Sequence, residues 1–553
     1  MSRAIYDFEL YQTETIHNIK HLLAQATQHY GERIAFVNEN ADGTTESKTY
    51  QQFQEDVATM AAGLVSALKI DLTRRDGKKI ALLAPNSYWW VVCYFATVTI
   101  GQVIVPLDPQ LPAEDLVSYM KKAGVSSLFF DTSIDEKVAV FKEGLAKIKH
   151  YISLGELTSN ASINIEKIRK MGLRVLNKKP DFYEQAKIYP EMLSTLMFTS
   201  GTTAAPKAIM LTHKNFVSSV MGVAQLINFN QETLLSMLPL FHSYEFTVGL
   251  LLQLYSGSTI YYLQGGLRAF RNNLQKVRPT FLVLVPLILE ETYKRVRASL
   301  PNPDDKQALA ASLKDYYGGR LKRLIVGGAP CNEKIAAAYE ECGITVLQGY
   351  GATECAPVIT MNADEKHNAR SAGLPLPNLK VKIENPDENG EGEVIVRGPS
   401  VMLGYYKDER QTDKVLIDNW LHTGDYGKFD EQGFVYIVGR KKNVIIGKNA
   451  KKIYPEEIEF HLQNTPGIKE AMVYGKMIDD DTKVAALIVP DVPVLRKLDK
   501  SLSTHVSDEE ILAAIRQQVA AVNADNVRYK QIVDVALVSS LPRTNSGKVK
   551  RSK

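Results

Sequence analysis

Cysteine is scarce in this sequence and shows no pairing pattern. The 553 residues contain four cysteines and no CxxC spacing. Isolated thiols argue against a disulfide framework and against a cysteine-based metal centre, and they are typical of a protein in a reducing compartment. We therefore expect a cytoplasmic protein. The four positions are Cys93, Cys331, Cys342 and Cys355.

Long uninterrupted apolar runs are also missing. The most apolar stretch, WWVVCYFATVTIGQVIVPL (89–107), contains Thr, Gln, Gly and Pro and has only the bare length of a membrane span. It predicts a buried helix leading into a buried strand rather than a transmembrane segment. The charged and mixed N-terminus does not fit a signal peptide. The sequence has no amphipathic basic helix that would prove membrane binding, so only transient contact with a membrane surface is left open.

Neither sign of charge dominates. The net charge is +4, with 23% charged and 45% hydrophobic residues, which is ordinary for a globular protein. A charge this small carries no argument about nucleic acid by itself. Because no dense basic run occurs before the last few residues, we expect no nucleic-acid partner. The length predicts several domains or one very large one.

Apolar strand-like segments recur along the first two thirds of the chain, and the first ones alternate with helical segments. This order is typical of a parallel sheet covered on both faces. Ligands bind beyond the carboxyl ends of strands in open α/β sheets, so the glycine loops after the last two segments are candidate walls of a site. The segments are KKIALLAP (78–85), QVIVPLD (102–108), VSSLFFD (125–131), FLVLVP (281–286), LKRLIVGGAP (321–330) and ITVLQGYGATE (344–354).

The pattern changes after about residue 385. NPDENGEGEVIVRGP (385–399) and FDEQGFVYIVGRKKNVII (429–446) predict hairpins rather than crossovers. Helices are then predicted from Pro455, which suits a first helical turn, and from Ser507 with its capping-box partner Glu510. We predict an α/β fold with two domains. The large N-terminal domain, residues 1–438, has βαβ layered sheets, and the small C-terminal domain, residues 439–553, is α+β.

The segment FTSGTTAAPKAIMLTHKN (198–215) offers the groups of a phosphate cradle. Hydroxyls, backbone N–H groups and a lysine together suit a polyphosphate. It is not a Walker A loop, because Pro206 precedes Lys207 and Ala208 follows it. Taken alone, the segment fits a polar linker equally well. Its candidate phosphate-binding residues are Thr199, Ser200, Gly201, Thr202, Thr203 and Lys207.

Two motifs further along supply groups that a nucleotide site needs. YGATE (350–354) offers an aromatic face for a base, the Thr353 hydroxyl and the Glu354 carboxylate. A carboxylate beside phosphates is the usual way to hold Mg²⁺. WLHTGD (420–425) is predicted to place Asp425 after a tight turn, where it could accept hydrogen bonds from both ribose hydroxyls.

Two cations complete the set. Arg440 follows in GRKK (439–442), and Lys548 lies in LPRTNSGKVKR (541–551) near the end of the chain. Each motif alone has an ordinary structural explanation, such as a turn residue, a solvated charge or a basic tail. Their combination in this order is specific.

With these motifs, the sequence resembles the adenylate-forming superfamily of acyl- and aryl-CoA synthetases, luciferases and adenylation domains. The resemblance runs from TYQQFQEDVATMAAGL (49–64) to SGKVKR (546–551). RPTFLVLVPLILEETYKRV (278–296) and GRKKNVIIGKNAKKIYPEEIE (439–459) look most like bacterial long-chain fatty acid CoA ligases.

The resemblance implies an ATP-dependent ligase. Members of the superfamily join a carboxylic acid to AMP with release of pyrophosphate, and then pass the acyl group to a thiol. For this chain it implies ATP, Mg²⁺ and CoA as co-substrate, with a fatty acid as the expected acid. Because carboxylate attack on the α-phosphate brings two anions together, positioning and positive charge must supply most of the catalysis.

The resemblance also implies roles for individual residues. Thr199 and Glu354 match positions associated with Mg²⁺, and residues 199–207 match the loop that grips the β- and γ-phosphates. Asp425 matches the ribose ligand, and Arg440 matches a ribose and phosphate contact. The adenine pocket and its surroundings are implied for Gly328, Ala329, Pro330, Tyr350, Gly351 and Thr353.

Two lysines are implied to serve the domain motion. Lys548 matches the lysine that bridges the acyl carboxylate and the α-phosphate during adenylation. Lys442 falls at the interdomain hinge, about which the small domain is implied to swing before thioester formation. Such hinges are a few residues that absorb a backbone rotation.

LPLFHSYE (238–245) bears on the acid. Superfamily members that activate amino acids usually carry an aspartate where this chain has His242, so the resemblance favours an acid without an α-amine. His242 joins Lys548 and Glu354 as a candidate catalytic residue, although a lone His in an apolar stretch is more often part of the core. FTVGLLLQLY (246–255) is either an apolar wall of the acyl pocket or simply core.

Three alternatives stay open at this point. The acyl acceptor could be the phosphopantetheine of a carrier protein instead of CoA. The acid could be an aryl or another acid. A protein that binds nucleotide without catalysis is the third alternative, against which the intact Lys548, Glu354 and Asp425 argue.

Three alanines stand where the superfamily usually has glycine: Ala204, Ala208 and Ala450. If the glycine provides a positive φ, alanine costs on the order of 1 kcal/mol or more. If the glycine only provides flexibility, alanine stiffens the loop and stabilises it slightly.

Overall fold

The structure is a computed structural model that describes residues 5–39, 44–73, 77–199, 206–447, 451–479, 481–499, 506–543, 549 and 551. Several residues singled out above lie outside these ranges, and their roles stay predictions. They are Ser200, Gly201, Thr202, Thr203, Ala204, Ala450 and Lys548.

Helices occur throughout the described chain. They are α1 (Ile19–Tyr30), α2 (Tyr50–Leu68), α3 (Tyr88–Val98), α4 (Ala113–Ala123), α5 (Asp135–Gly144), α6 (Ile165–Lys178), α7 (His213–Ala224), α8 (Leu252–Tyr255), α9 (Phe270–Val277), α10 (Pro286–Ala298), α11 (Lys306–Tyr316), α12 (Glu333–Glu341), α13 (Glu409–Val415), α14 (Pro455–Gln463), α15 (Val492–Leu498) and α16 (Asp508–Asp525).

Strands of the first half alternate with these helices. They are β1 (Ile34–Glu39), β2 (Thr45–Thr49), β3 (Lys79–Leu83), β4 (Val103–Pro106), β5 (Ser127–Phe130), β6 (His150–Ser153), β7 (Ile163–Asn164), β8 (Leu193–Thr199), β9 (Lys207–Thr212), β10 (Thr233–Ser236), β11 (Thr259–Tyr262), β12 (Phe281–Leu284), β13 (Arg323–Gly327) and β14 (Thr345–Gly351).

Later strands follow one another more closely. They are β15 (Val358–Met361), β16 (Leu374–Pro375), β17 (Lys380–Glu384), β18 (Gly392–Arg397), β19 (Gly404–Tyr405), β20 (Leu416–Ile417), β21 (Trp420–Phe429), β22 (Val435–Arg440), β23 (Ile445–Ile446), β24 (Lys452–Ile453), β25 (Ile468–Ile478), β26 (Asp481–Pro490) and β27 (Ile532–Leu537).

Two large mixed sheets contain the strands β1 to β16 together with β19. One has the order β16-β15-β14-β13-β12-β10-β11-β1-β2, and the other has the order β19-β9-β8-β4-β3-β5-β6-β7. The interior pairs, such as β3 with β4 and β12 with β13, are parallel, whereas β9, β15 and the outer strand β2 pair antiparallel. This is the predicted α/β architecture, and a crossover helix separates most parallel neighbours.

The apolar run at 89–107 forms the predicted helix and strand. Helix α3 is buried on every side from Trp90 to Val98 and leads into β4, all four residues of which are buried. Burial on all faces explains why the run lacks helical alternation. In the described part of the chain, no helix is both long enough and apolar enough to cross a membrane.

The later strands form smaller antiparallel sheets, as the hairpin patterns predict. Strands β17 and β18 form one hairpin and β21 and β22 another, β18 pairs antiparallel with β21, and β25 pairs antiparallel with β26. The two helix starts are also confirmed. Pro455 occupies the first turn of α14, and Ser507 and Glu510 form a reciprocal capping box on α16.

The buried apolar residues form separate clusters in the earlier and the later part of the chain. The largest cluster of buried apolar residues runs from Ile16 to Leu421, and a second fills the sheet around β3 and β5. A separate cluster begins at Ile445 and ends at Ile532. The fold is thus a large N-terminal α/β part followed by a smaller C-terminal α+β part, and the boundary at 438/439 stays a prediction.

Candidate active site

The candidate phosphate segment joins two paired strands. Strands β8 and β9 are antiparallel, and Thr199 opposite Lys207 is the last pair before the connection. Both residues are half-buried. At the far side of the connection, the Lys122 ammonium donates to the Pro206 carbonyl at 2.6 Å. The hairpin therefore fixes the Thr199 hydroxyl and the Lys207 stem at one end of the sheet.

Ala208 lies inside β9 and is fully buried. It pairs with Phe198 across the hairpin, and its carbonyl accepts from the Tyr406 N–H at 2.7 Å. Its backbone is extended strand, which any residue adopts. The conditional strain penalty for an alanine in place of glycine therefore does not apply to Ala208.

Tyr405 connects two of the predicted site residues. Its hydroxyl donates to Glu354 Oε1 at 2.9 Å. The Lys207 Nζ lies 4.7 Å from the centroid of the same ring, within the range of a cation–π contact. Burial and the neighbouring Glu354 carboxylate raise the pKa of Tyr405, so its hydroxyl stays a donor at neutral pH. Tyr405 was missed by the sequence reasoning.

A second group forms around the predicted ribose ligand. Asp425 accepts from the Tyr350 hydroxyl at 2.7 Å through Oδ2 and pairs with Arg440 Nε at 2.8 Å through Oδ1. Its side chain is 6% exposed, whereas that of Arg440 is 55% exposed. The two partners arrive from different sheets, since Tyr350 lies in β14 and Asp425 opposes Arg440 in the β21–β22 hairpin.

One segment of the chain joins the two groups into one site, since Tyr350 contacts Asp425 and Glu354, four residues further on, contacts Tyr405. Burial raises the pKa of Asp425, while the Arg440 charge and the Tyr350 hydrogen bond lower it. The Glu354 carboxylate adds a further rise in the pKa of Asp425. The structure thus brings Lys207, Glu354, Asp425 and Arg440 together from positions far apart in sequence.

Asp425 is not presented by a tight turn, as the sequence reasoning expected. It lies within the long strand β21, where the pairing with β18 shifts register and Gly424 has a φ of 71°. A glycine at positive φ is typical of a β-bulge, which re-aims the next side chain. The Gly424 N–H donates to Glu393 Oε1 at 3.1 Å, which fixes the bulge.

Glu393 is a second residue that the sequence reasoning missed. It is 7% exposed, and its Oε2 accepts from Lys441 Nζ at 2.7 Å. It therefore holds both Gly424, which precedes Asp425, and Lys441, which follows Arg440. A glutamate at an inward position of the otherwise apolar strand β18 was the available signal.

The predicted adenine-side residues lie on two loops at neighbouring strand ends. Gly328, Ala329 and Pro330 are exposed directly after β13, and β14 beside it ends with Tyr350 and Gly351. A side chain at Gly351 does not fit, since a Cβ there would lie 2.0 Å from the Pro357 carbonyl oxygen. Both loops follow the carboxyl ends of parallel strands, where the fold places ligands.

The His242 motif borders this site. Ser243 Oγ lies 3.1 Å from Thr353 Oγ1, which ties the motif to the loop that carries Glu354. His242 itself is exposed, with its ring centroid 4.6 Å from that of Phe241. The alternative that His242 is a core histidine is therefore wrong.

Lys442 lies in a short 3₁₀ helix, Lys441–Asn443, that directly follows Arg440 and β22. It is exposed. Its position between the sheet of β21 and β22 and the cluster that begins at Ile445 is compatible with the predicted hinge.

The oxygen donors at the site fit a magnesium ion. The Thr199 hydroxyl and the Glu354 carboxylate are hard ligands of the kind that Mg²⁺ prefers, together with waters and substrate phosphates. No thiolate lies in this set. The Lys207 cation beside them suits the phosphates rather than the metal.

Comparison with known proteins decides the family. The family described as AMP-binding enzyme matches residues 23–406, and its C-terminal domain matches residues 442–553. The chain belongs to the AMP-binding enzyme family. This confirms the resemblance to adenylate-forming enzymes drawn from the sequence, and it makes the chain an adenylate-forming ligase of the acyl- and aryl-CoA type.

Relatives of this AMP-binding enzyme include named CoA ligases. A long-chain-fatty-acid–CoA ligase of Escherichia coli O157:H7 is 27% identical over 563 residues, which cover 96% of this chain and 92% of the relative. The crystal structure of the anthranilate CoA ligase AuaEII in complex with anthranoyl-AMP is similar with a TM-score of 0.78 at 20% identity, covering 99% of this chain and 97% of that one.

A second solved structure is the O-succinylbenzoate coenzyme A synthetase of Bacillus subtilis in complex with ATP and a magnesium ion. Its TM-score is 0.71 at 24% identity, with 96% of this chain and 98% of that chain covered. At these identities both structures show that the fold is shared. The predicted α/β fold class is therefore confirmed.

Proposed function

We propose that this enzyme converts a fatty acid, ATP and CoA into fatty acyl-CoA, AMP and pyrophosphate by way of an acyl-AMP intermediate. The observation that carries the proposal is the convergence of Asp425, Tyr350 and Arg440 with Glu354 and Lys207 in one site. A buried carboxylate suits ribose hydroxyls, and cations suit phosphates. The same site supplies a carboxylate and a hydroxyl for Mg²⁺, the ion present in the Bacillus subtilis structure.

The acid is proposed to lack an α-amine. His242 stands where amino-acid-activating relatives have an aspartate, so no carboxylate is available there to pair with an ammonium group. The mainly apolar segments after His242, Glu245–Leu251 and Leu252–Tyr255, are proposed to lie beside an apolar acyl group, although their burial fits a role in the core equally well. A fatty acid is favoured over an aryl acid by the E. coli relative, whereas the anthranilate ligase favours the aryl alternative.

Adenylation in this site is a problem of bringing two anions together. Lys207 is proposed to hold the β- and γ-phosphates, and Arg440 and Asp425 the ribose side, so that the α-phosphorus faces the acid. Bound at Thr199 and Glu354, Mg²⁺ would neutralise part of the phosphate charge. The carboxylate oxygen attacks the α-phosphorus, the bond to the bridging oxygen breaks, and pyrophosphate leaves.

Lys548 is proposed to bridge the attacking carboxylate and the α-phosphate in this step only. The domain carrying it, residues 439–553, then turns about Lys442, and the CoA thiol attacks the acyl carbonyl with AMP as the leaving group. A positive charge delivered at the moment of reaction lowers the barrier without changing ATP binding beforehand.

The test separates the two half-reactions. Lys548→Ala should lower carboxylate-dependent ATP–pyrophosphate exchange by about 100-fold or more, because a transition-state charge is lost. Thioester formation from preformed acyl-AMP should stay close to wild type. An equal fall in both half-reactions would contradict the proposed role of Lys548 and of the moving domain.

The substrate is identified by a panel of linear, branched and aryl acids with ATP and CoA, read as AMP release. The proposal expects the highest kcat/KM with linear fatty acids. An aryl acid preferred over every linear acid would replace the fatty-acid assignment. AMP release that requires an acyl carrier protein instead of CoA would identify the carrier-protein alternative, and no pyrophosphate exchange with any acid would restore the catalytically silent alternative.

A cytoplasmic location is proposed from the cysteine pattern.

A further inference from the structure

Three described residues on either side of Lys548, namely Arg543, Val549 and Arg551, form what we call the C-terminal arm, which is attached to β25. At the near end, Arg543 Nη2 donates to Glu470 Oε2 at 2.7 Å, and the backbones of Arg543 and Val549 form an antiparallel bridge. At the far end, Arg551 Nη1 donates to the Val473 carbonyl oxygen at 2.9 Å. Glu470 and Val473 both belong to β25.

The far attachment is a closed ring of three residues. Glu459, on α14, accepts from the Val473 N–H at 2.6 Å through Oε1 and from Arg551 Nη2 through Oε2. Arg551 returns to the carbonyl of the same Val473. The Glu459 side chain is 11% exposed and that of Arg551 is 24% exposed. Two charge-assisted contacts and a backbone group in one ring fix the direction of the guanidinium as well as its position.

Glu459 needs Arg551 to stay charged. Burial raises the pKa of Glu459 to about 7, and the Arg551 guanidinium and the Val473 N–H act against this rise. Removing one partner of a buried pair leaves the other uncompensated. Loss of either side chain would therefore leave the other buried without its partner.

The ring also reaches the segment that carries the predicted hinge. Arg551 Nη2 lies 3.9 Å from Glu456 Oε1, and the same Glu456 oxygen accepts from Asn443 Nδ2 at 2.5 Å. Asn443 ends the 3₁₀ helix Lys441–Asn443. The anchored end of the arm is thus connected to the first residues of the small domain through two contacts.

Covalent geometry ties Lys548 to this ring. Two residues, Val549 and Lys550, lie between Lys548 and Arg551, and these three residue steps span at most about 10 Å. Lys548 also directly precedes Val549, which is bridged to Arg543. An error in the position of Arg551 is therefore transmitted to Lys548 over a short tether.

We propose that Glu459 and Arg551 are positioning residues for the adenylation half-reaction, and that they fix the C-terminal arm so that Lys548 reaches the acyl carboxylate and the α-phosphate in register. The inference rests on the proposed role of Lys548. Neither residue acts on the substrate. The alternative is that the pair only stabilises the small domain, in which case both half-reactions depend on it equally.

The experiment compares Glu459→Gln, Arg551→Ala and Arg551→Lys with a matched control. Glu457→Gln is the control, because Glu457 lies on the same helix and pairs with Lys530 Nζ at 2.7 Å without contact to the arm. Each full-length variant is assayed for ATP–pyrophosphate exchange and for thioester formation from preformed acyl-AMP. Wild type and Lys548→Ala are run beside them.

For Glu459→Gln we expect the kcat of exchange to fall about 100-fold, which is the size of effect that a misplacement of about 1 Å produces. The KM for ATP and the thioester half-reaction should change less than about threefold, since Lys548 is used only in the adenylation transition state. Arg551→Lys, which keeps the charge, should recover part of the exchange rate that Arg551→Ala loses. Glu457→Gln should leave both half-reactions unchanged.

The possible failures are distinct. An equal loss of both half-reactions in Glu459→Gln would show a purely structural role and would overturn the inference. A wild-type rate of exchange in a Glu459→Gln variant that unfolds at the wild-type temperature would also overturn it. If Lys548→Ala itself retains exchange, the proposed function of Lys548 fails first. Thioester formation reports folding in every variant, because it uses the same small domain.

Discussion

Tyr405 is the residue on which the phosphate side and the metal side of the site meet. Its hydroxyl donates to Glu354, and its ring lies under Lys207. Tyr405→Phe removes the hydroxyl and keeps the ring. A hydrogen bond to a charged group is worth about 1.5–3 kcal/mol, so we expect kcat/KM for magnesium-ATP to fall by roughly 10- to 100-fold, measured by pyrophosphate exchange across magnesium concentrations.

Tyr405→Leu is the companion variant, because it also removes the ring beneath Lys207. It should lose a further fewfold, since a cation–π contact contributes about 0.5–1 kcal/mol at a partly exposed position. Equal activity of Tyr405→Phe and wild type would mean that Glu354 does not need this donor, and the metal assignment of Glu354 would then lack its structural support.

At the scale of single residues, the sequence predicts those site residues that lie in a recognisable motif and carry a reactive or charged group. Asp425, Arg440, Tyr350 and Glu354 were all predicted as site members, and the structure brings them together. Tyr405 could not be found in the same way, because its contribution comes from where β19 pairs with β9, and that pairing joins residues about 200 positions apart. A side chain that contributes by contacting site residues far away in the sequence has no motif of its own by which it could be recognised.

The element scale is best illustrated by the π-helix Glu245–Leu251. Glu245 is fully buried, and its Oε1 accepts from Ser236 Oγ at 2.6 Å. Its Oε2 has no hydrogen-bond partner among the described residues. The carboxyl group lies against Gly249, where a Cβ would come within 2.5 Å of it. Burial raises the pKa of Glu245 to about 8, so the group is protonated in the folded enzyme at neutral pH.

A protonated Glu245 makes stability fall as pH rises. In the unfolded chain the group ionises near its ordinary value of 4.5, whereas in the folded chain it keeps its proton up to about pH 8. Unfolding therefore releases a proton between these values, and the free energy of unfolding decreases across the window by a contribution on the order of 4 kcal/mol. Below the unfolded value this stabilising contribution is fully present, and above pH 8 it is lost.

Glu245→Gln should remove this dependence. As pH rises from 5 to 8.5, the urea midpoint of wild type should fall relative to that of Glu245→Gln, because the amide of the variant cannot ionise. Glu143→Gln, at an exposed position of α5, is the control and should parallel wild type throughout. Parallel curves for Glu245→Gln and wild type would contradict a buried neutral acid.

Sequence patterns predicted ordinary elements well and irregular ones poorly. Capping chemistry at Ser507 and Pro455 and the apolar run of α3 depend on neighbours within a few residues, so they can be inferred from the sequence. The π-helix could not be inferred, since a wider helical turn leaves no distinct apolar period in a segment that is buried on all sides. The bulge at Gly424 was mistaken for a turn, because both use glycine at positive φ.

At the scale of the whole molecule, the hinge predicts a separation between half-reactions. Lys442→Pro fixes φ near −65° and removes one N–H, so it should hold the two parts in a restricted set of orientations. We expect one half-reaction to stay within about threefold of wild type while the coupled reaction falls about 100-fold. Steady-state acyl-CoA formation and the two isolated half-reactions provide the measurement.

Lys442→Ala is the matched control, because it removes the ammonium group and leaves the backbone free to rotate. It should keep the coupled reaction close to wild type. If Lys442→Ala were as slow as Lys442→Pro, the side chain rather than the backbone would matter, and the hinge would have to be sought elsewhere in 439–444.

The overall architecture was only partly accessible to sequence reasoning. Alternating strands and helices predicted parallel sheets, and the change after residue 385 predicted hairpins. The order of strands could not be predicted, because it is set by contacts between distant segments, such as β1 beside β11 and β19 beside β9. The contact between Tyr350 and Asp425 could not be predicted for the same reason, because β14 and β21 belong to different sheets.

The β8–β9 hairpin has one further consequence, for insertions and deletions. Thr199 and Lys207 are paired, and seven residues connect them. Side chains alternate between the two faces of a strand, and a shift by one residue turns every side chain to the opposite face. Descendants of this gene therefore cannot lose a single codon within β9 without turning either Lys207 away from the phosphates or the buried residues that follow it out of the core.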